Sequence, residues 1–276
     1  MSATRRVMLI TGASGGIGAD LARLAGRKGH DLALVARNKA ALDALADEIA
    51  ALPGRAAPRP LVFACDLAAP GGPAAVESFL AQAGATPEIL VNNAGYGLLG
   101  PAAEGDLGEQ LGIVDLNVRA LTELSLRFAK PLIANAGRLL NVASVAAYLP
   151  GPGMAIYYAS KAYVLSFSEA LSKELAPHGV TVTALCPGPV PTGFGDRAGF
   201  AGKMDWMKLV HMTSPAVAEA AYDAMMAGQR VVIPGLLAKI AVWIASLTPK
   251  ALLLANVAAF QLRRSGSPRT EEDAKE

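Results

Sequence analysis

The feature that most constrains the fold of this chain is an alternation. Short apolar runs at 7–10, 32–35, 61–65, 88–91, 138–142, 180–185 and 231–233 read as strands. Between them, alanine-rich amphipathic stretches at 16–28, 38–51, 73–83, 106–129, 155–176 and 214–227 have helical length. Strands apolar on both faces and separated by helices predict a doubly wound α/β fold, one parallel sheet with helices on both faces. At 276 residues the chain suits one domain, placed at 1–234, followed by an apolar helical extension at 235–264.

Hydrophobic residues make up 53% of the chain and charged residues 17%, so a packed core is expected over most of its length. A formal net charge of +2, with the basic residues scattered, argues against a nucleic-acid surface. Cys65 and Cys186 each end an apolar run, as free buried thiols do, and fit a reducing, cytoplasmic setting. The run VMLI after Arg5 and Arg6 stops at Thr11-Gly12, so no signal peptide is expected and folding should start at Val7.

Two regions break the rhythm. Residues 187–213 open with PGPVPTGFGD and are predicted to form a lid of loops or short helices at the C-terminal edge of the sheet. Residues 265–276 are polar, charged and aperiodic, the composition of a disordered tail.

The first strand runs directly into TGASGGIG, residues 11–18. Gly12, Gly16 and Gly18 suit a tight turn, close approach of a pyrophosphate to the backbone, and close packing of the next helix, whose N-terminal amides favour an anion. The second strand ends with Ala36-Arg37, where a fold specific for NAD would carry an acid for the ribose 2′-hydroxyl. Arg37 would instead bind a 2′-phosphate through charge-assisted hydrogen bonds, which favours NADP. Asp66, at the end of the third strand, would either accept from an adenine amino group or cap the next helix. Asn92 and Asn93, followed by Ala94 and Gly95, add amides and a small-residue surface at the carboxyl edge of the sheet.

Residues 156–163 read IYYASKAY. On a helix Tyr157 shares a face with Lys161, whereas neither Tyr158 nor Tyr163 has a cation at that spacing; both are expected to be packing residues. Ser144 ends the fifth strand, and Asn117 lies in the helix before it. No histidine shows ligand spacing and no metal site is expected; His30 and His178 read as surface residues and His211 as a lid residue able to touch substrate.

Taken in order, TGxxxGxG, NNAG, Asn117, Ser144, Tyr157 with Lys161, and PGPVPT resemble the classical short-chain dehydrogenase/reductase family over about residues 5–234. The resemblance implies a Rossmann fold, NADP(H), and hydride transfer between a ketone or aldehyde and an alcohol. Ser144 would polarise the carbonyl, Tyr157 would exchange the proton, Lys161 would hold the nicotinamide ribose and lower the tyrosine pKa, and Asn117 would hold a relay water. Cofactor contacts would come from Gly12, Ser14, Gly15, Gly16, Ile17 and Gly18, from Arg37, Asn38, Asp66 and Leu67, and from Asn93, Ala94 and Gly95. Tyr157 and Lys161 would join them, with Pro187, Gly188, Val190 and Thr192 cradling the carboxamide. Homodimers or homotetramers are common in the family.

The extension from Pro234 to Arg264 is the most apolar part of the chain, but Lys239, Pro249 and Lys250 interrupt it before the roughly 20 residues a bilayer span needs. Its helices must be covered by the protein's own cleft, a partner subunit or a membrane interface; a cleft wall or a subunit contact is favoured, and peripheral membrane contact stays open. The apolar lid and extension favour a hydrophobic substrate. A 3-oxoacyl thioester, with Arg197 and Lys203 as a weak basic entrance, is the alternative. A non-catalytic NADP-binding sensor is disfavoured because Tyr157 and Lys161 are both present.

Overall fold

The computed structural model describes residues 4–199 and 212–265. Seven parallel strands form one sheet: β1 (Arg5–Thr11), β2 (Leu32–Ala36), β3 (Leu61–Ala64), β4 (Ala85–Asn92), β5 (Arg138–Val142), β6 (Thr181–Leu185) and β7 (Val231–Val232). Their spatial order is β3-β2-β1-β4-β5-β6-β7, so the chain winds outward from β1, returns, and winds outward on the other side from β4. The helices are α1 (Gly16–Arg27), α2 (Lys39–Ala50), α3 (Gly72–Gln82), α4 (Leu107–Val114), α5 (Leu121–Arg127), α6 (Ala129–Ala134), α7 (Ala155–Leu175), α8 (Gly193–Arg197), α9 (Ser214–Met226), α10 (Leu236–Leu247) and α11 (Lys250–Ser265).

Alternate residues of each strand feed two cores. Met8, Ile10, Leu34, Val91, Leu140 and Leu185 pack against α1, α2 and α9. Val7, Leu9, Val35, Leu90, Leu139 and Val182 pack against α3, α5 and α7. Each such buried side chain is worth about 1.5–3 kcal/mol relative to exposure, which is why these runs carry no polar alternation. Buried polar residues interrupt the strands at Thr11, Asn92, Asn141 and Thr183; on adjacent strands Asn92 Nδ2 donates to Asn141 Oδ1 at 3.0 Å and to Ser125 Oγ at 3.0 Å, and Asn141 Nδ2 donates to Ser168 Oγ at 2.9 Å. This chain ties β4 and β5 to α5 and α7.

The single helix expected over 106–129 is broken. Asp115–Ala120 winds as a π-helix between α4 and α5, and a new helix, α6, starts at Ala129. The second break has a local cause, because the ring of Pro131 would clash with the carbonyl of Arg127 in a continuous helix, and proline is tolerated only in a first turn. The first break centres on Asn117, whose side chain is held from outside the helix. Tyr158 also departs from expectation: its ring packs on Gly151, as a packing residue does, yet it lines the cavity described below. His30 is half-buried rather than a surface residue, its Nε2 lying 2.8 Å from the Tyr222 hydroxyl of α9, and burial lowers its pKa. Cys186 is buried and Cys65 half-buried, both as free thiols. His211, Lys203 and the tail from 266 lie outside the described residues.

Candidate active site

Winding in opposite directions from β1 and β4 leaves a crevice at the carboxyl ends of these neighbouring strands. A cavity of about 810 Å³ occupies it. Its wall begins at the β1–α1 turn. Gly12 and Gly16 adopt φ of +65° and +54°, where a side chain is strained, and a Cβ on Gly12 would stand 2.9 Å from Ala94 Cα. Gly18 does not line the cavity; a Cβ there would stand 2.4 Å from Asn93 Nδ2, so this glycine lets α1 pack against the β4 edge. At Gly15 a Cβ would meet no protein atom and would stand in the open space of the cavity.

The N-terminus of α1 has no side-chain cap and no acid in its first turn, unlike α2, α4 and α9, capped by Asn38, Asp106 and Thr213. Its free amides face a site suited to an anion. Ser14 and Ile17 line the same end, as do Arg37, Asn38, Asp66 and Leu67. Arg37 is exposed, while Asp66 Oδ1 accepts from Ala68 N at 3.0 Å and leaves the cap of α3 to Gly71. Asn93 turns its side chain inward: Nδ2 donates to Thr11 O at 2.9 Å and Gly12 O at 3.1 Å, bracing the turn, while Ala94 and Gly95 face the cavity. These residues fit a nicotinamide dinucleotide.

The other end of the cavity is built by α7 and the β5 terminus. Ser144 follows β5 and starts the turn at 145–148, its Oγ accepting from Ala146 N at 3.1 Å, and it also hydrogen-bonds the Tyr157 side chain. Lys161, one turn beyond Tyr157, is buried and donates to Val142 O at 2.7 Å; its Nζ lies 5.8 Å from the centre of the Tyr157 ring. Burial pushes the Tyr157 phenol up to about 12, against the opposing pull of the Ser144 hydrogen bond, and burial pushes the Lys161 ammonium down to about 8. Burial therefore dominates at Tyr157, and it acts in the direction opposite to the lowering that the family resemblance implies.

Asn117 stands behind this wall rather than in it. Its Oδ1 accepts from Tyr96 N at 3.1 Å, and its Nδ2 donates to Tyr96 O at 2.9 Å and Ser160 Oγ at 3.0 Å. The amide thus joins the loop after β4 to α7, and the π-helical turn is what brings it there. Several cavity residues escaped the sequence reading. Leu149, Met154, Tyr158 and Phe194 form an apolar surface beside Tyr157, whose ring lies 5.3 Å from that of Phe194. Arg197, at the end of α8, places its guanidinium 4.1 Å from the centre of the Tyr96 ring, and Leu99 N donates to Ala198 O at 2.9 Å. Together with Thr192, whose Cβ lies 3.2 Å from where a Gly16 Cβ would stand, these contacts lay the 192–198 segment across the groove. Pro187, Gly188 and Val190 line the cavity beneath it. Among the described residues none from 235 onward lines the cavity, so the described part of the extension is not its wall.

Comparison with known proteins agrees with this architecture. A family model described as short chain dehydrogenase matches residues 6–199. A short-chain dehydrogenase from Sphingobium yanoikuyae, solved in complex with NADPH, is 35% identical, with a TM-score of 0.76 over 88% of this chain and 93% of that one. A bulky-bulky ketone specific alcohol dehydrogenase from Comamonas testosteroni is 30% identical, with a TM-score of 0.72 over 90% and 97%. A 3-ketoacyl-(acyl-carrier-protein) reductase from Brucella melitensis, complexed with NADH, is 30% identical, with a TM-score of 0.72 over 84% and 98%. The chain spans 32% of the length of the mycobacterial curated relatives that it matches at 32% identity over 196 residues. With the sheet order, the glycine turn and the convergence of Ser144, Tyr157 and Lys161, these matches mean that the chain belongs to the short-chain dehydrogenase/reductase family of oxidoreductases.

Proposed function

We propose that this protein reduces a hydrophobic ketone or aldehyde to an alcohol with NADPH. The observation that carries the reading is the shape of one cavity: an uncapped helix N-terminus and Arg37 at one end, Ser144, Tyr157 and Lys161 at the other, and an apolar surface beside them. When bound, the nicotinamide would supply the hydride. Ser144 would hold the carbonyl oxygen by a hydrogen bond, and Tyr157 would donate its proton to that oxygen. A phenol held near 12 keeps its proton across the physiological range, the form a proton donor needs. Lys161, charged below about 8, would anchor the ribose and supply positive charge as the phenolate develops. Asn117 acts as a positioning residue, fixing Tyr96 and Ser160 on either side of the Tyr157 region.

Leu149, Met154, Tyr158 and Phe194 support an apolar, bulky substrate over a small polar one. A 3-oxoacyl thioester is the second reading; the cation it needs at the entrance would be Arg197, although that guanidinium stacks on Tyr96. The exposed apolar residues Leu107, Leu111, Val114 and Leu126 on α4 and α5 support a homodimer or homotetramer. NADPH oxidation followed by absorbance across aldehydes and ketones of graded length and ring size tests the reaction. Turnover rising with substrate hydrophobicity and lost in Tyr157→Phe is expected; saturable NADPH binding with no turnover on any carbonyl would point to a sensor.

A further inference from the structure

We propose that α10 and α11 dock this protein onto an anionic lipid surface. Helix α10 is built inside out. Its small residues face the body: Ala245 is buried, and Ala238 Cβ stands 3.8 Å from where a Cβ on Gly188 would be. Its large ones face away, with Leu236 at 73%, Trp243 at 64% and Leu247 at 65% exposure, and Leu237, Ile240 and Ile244 exposed beside them. By helical geometry these six fall within about 120° of the circumference, one continuous apolar stripe. Leu252 and Leu254 on α11 are exposed as well. A stripe of this kind on a soluble domain marks a surface that something else covers.

Charge selects the occupant. Between Asp223 and Glu271 the sequence contains no acid, while Lys239 and Lys250 stand exposed on the two helices and Arg263 and Arg264 follow. A second copy of this chain meeting the stripe through a twofold contact would bring the same helices together, lysine facing lysine with no acid on either side. An anionic bilayer answers both features, taking the apolar stripe among its acyl chains and the lysines among its head groups. No helix among the described residues is long and apolar enough to cross a membrane, so the pair lies on the surface rather than spanning it. Helix α10 packs on the 145–148 turn, whose neighbours Ser144 and Leu149 line the cavity, which sets the docked face beside the substrate end. The docking does not depend on the proposed reaction.

The test is sedimentation of the full chain with vesicles of phosphatidylcholine alone, or of phosphatidylcholine and phosphatidylglycerol in equal parts. The expected result is binding to the mixed vesicles only. Trp243→Glu should weaken it by at least about tenfold, and Lys239→Gln and Lys250→Gln by about fivefold each. NADPH affinity unchanged in these variants shows that the fold survives. In a Trp206→Phe background, the fluorescence of Trp243 should move to the blue on adding mixed vesicles. Failure to bind either vesicle would overturn the proposal, and equal binding to both would remove its anionic part. Loss of oligomer mass in Trp243→Glu without vesicle binding by the parent would assign the stripe to a second copy instead.

Discussion

The two ends of the cavity are made in different ways. The cofactor end is backbone: glycines whose missing side chains let β1, α1 and β4 approach, and amides left uncapped at the start of a helix. The catalytic end is side chain, with a hydroxyl from the turn after β5 and a phenol and an ammonium from α7, the ammonium donating to the Val142 carbonyl of β5. The backbone part of the cofactor end is sensitive to an added atom where strands, helix or ligand must approach, with Arg37 a charged side chain beside it; the catalytic end fails when one proton or charge is lost. Substitutions at the two ends should therefore fail in different ways.

The largest expected effect is at the catalytic end. Tyr157→Phe removes the proton donor while keeping the ring on Gly97, and should lower kcat by about 10²–10⁴-fold with NADPH affinity nearly unchanged. Turnover within a few fold of the parent would assign the donor elsewhere. At the cofactor end, Arg37→Ala should raise the KM for NADPH by about 10–100-fold, the range for a lost hydrogen bond to a charged group, and leave that for NADH unchanged. An equal rise for both cofactors would mean that Arg37 does not read the 2′-phosphate.

The glycines sharpen the contrast within the turn itself. Gly18→Ala drives a methyl against Asn93 Nδ2 and Gly12 O, and should destabilise the fold by about 1–3 kcal/mol in chemical denaturation. Gly15→Ala meets no protein atom, so it should leave the unfolding midpoint in place and weaken NADPH binding alone. Were both to cost the same stability, the open space over Gly15 would not be the pyrophosphate site.

Much of the cofactor end was legible in the sequence, because its causes are local. A glycine that must adopt positive φ between a strand and a helix announces itself by spacing, as do continuous apolar runs buried on both faces. Less of the catalytic end was legible. That Tyr157 and Lys161 share a face follows from helical geometry, but the raised phenol depends on how deeply α7 is buried, which no spacing reports. The π-helical turn at Asn117 depends on a bond to Tyr96 formed only when the β4 loop folds back. Arg197 was read as part of a basic entrance, and its place over Tyr96 is decided by the path of α8. For α10, the pattern showed apolar residues all round but not that the small ones would turn inward.

A smaller effect separates the two charges of the catalytic end. Below about 8 Lys161 is protonated, above it the ammonium is lost, and Tyr157 keeps its proton to about 12. The kcat/KM for carbonyl reduction should then be flat from pH 6 to nearly 8 and fall by about tenfold per unit above it. A plateau reaching pH 10 would show either that Lys161 titrates as an ordinary surface lysine or that its charge is not needed.

The smallest effect lies where the ends meet, under the 192–198 segment. Burial first, and the nearby charge of Arg37 second, lower the pKa of Arg197, whose guanidinium stands 4.1 Å from the centre of the Tyr96 ring with a like charge at the same groove. A phosphate-bearing ligand between the two arginines would turn that repulsion into attraction, closing the segment more firmly when the dinucleotide is present. Arg197→Leu removes the stack, worth about 0.5–1 kcal/mol at an exposed site, and the KM for NADPH should rise by about two- to fivefold. Paired with Arg37→Ala, it should cost less than the sum of the two changes, because each removes part of the charge the other shares. Strict additivity in that cycle would place Arg197 outside the cofactor site and leave its stack on Tyr96 as a fastening of the lid alone.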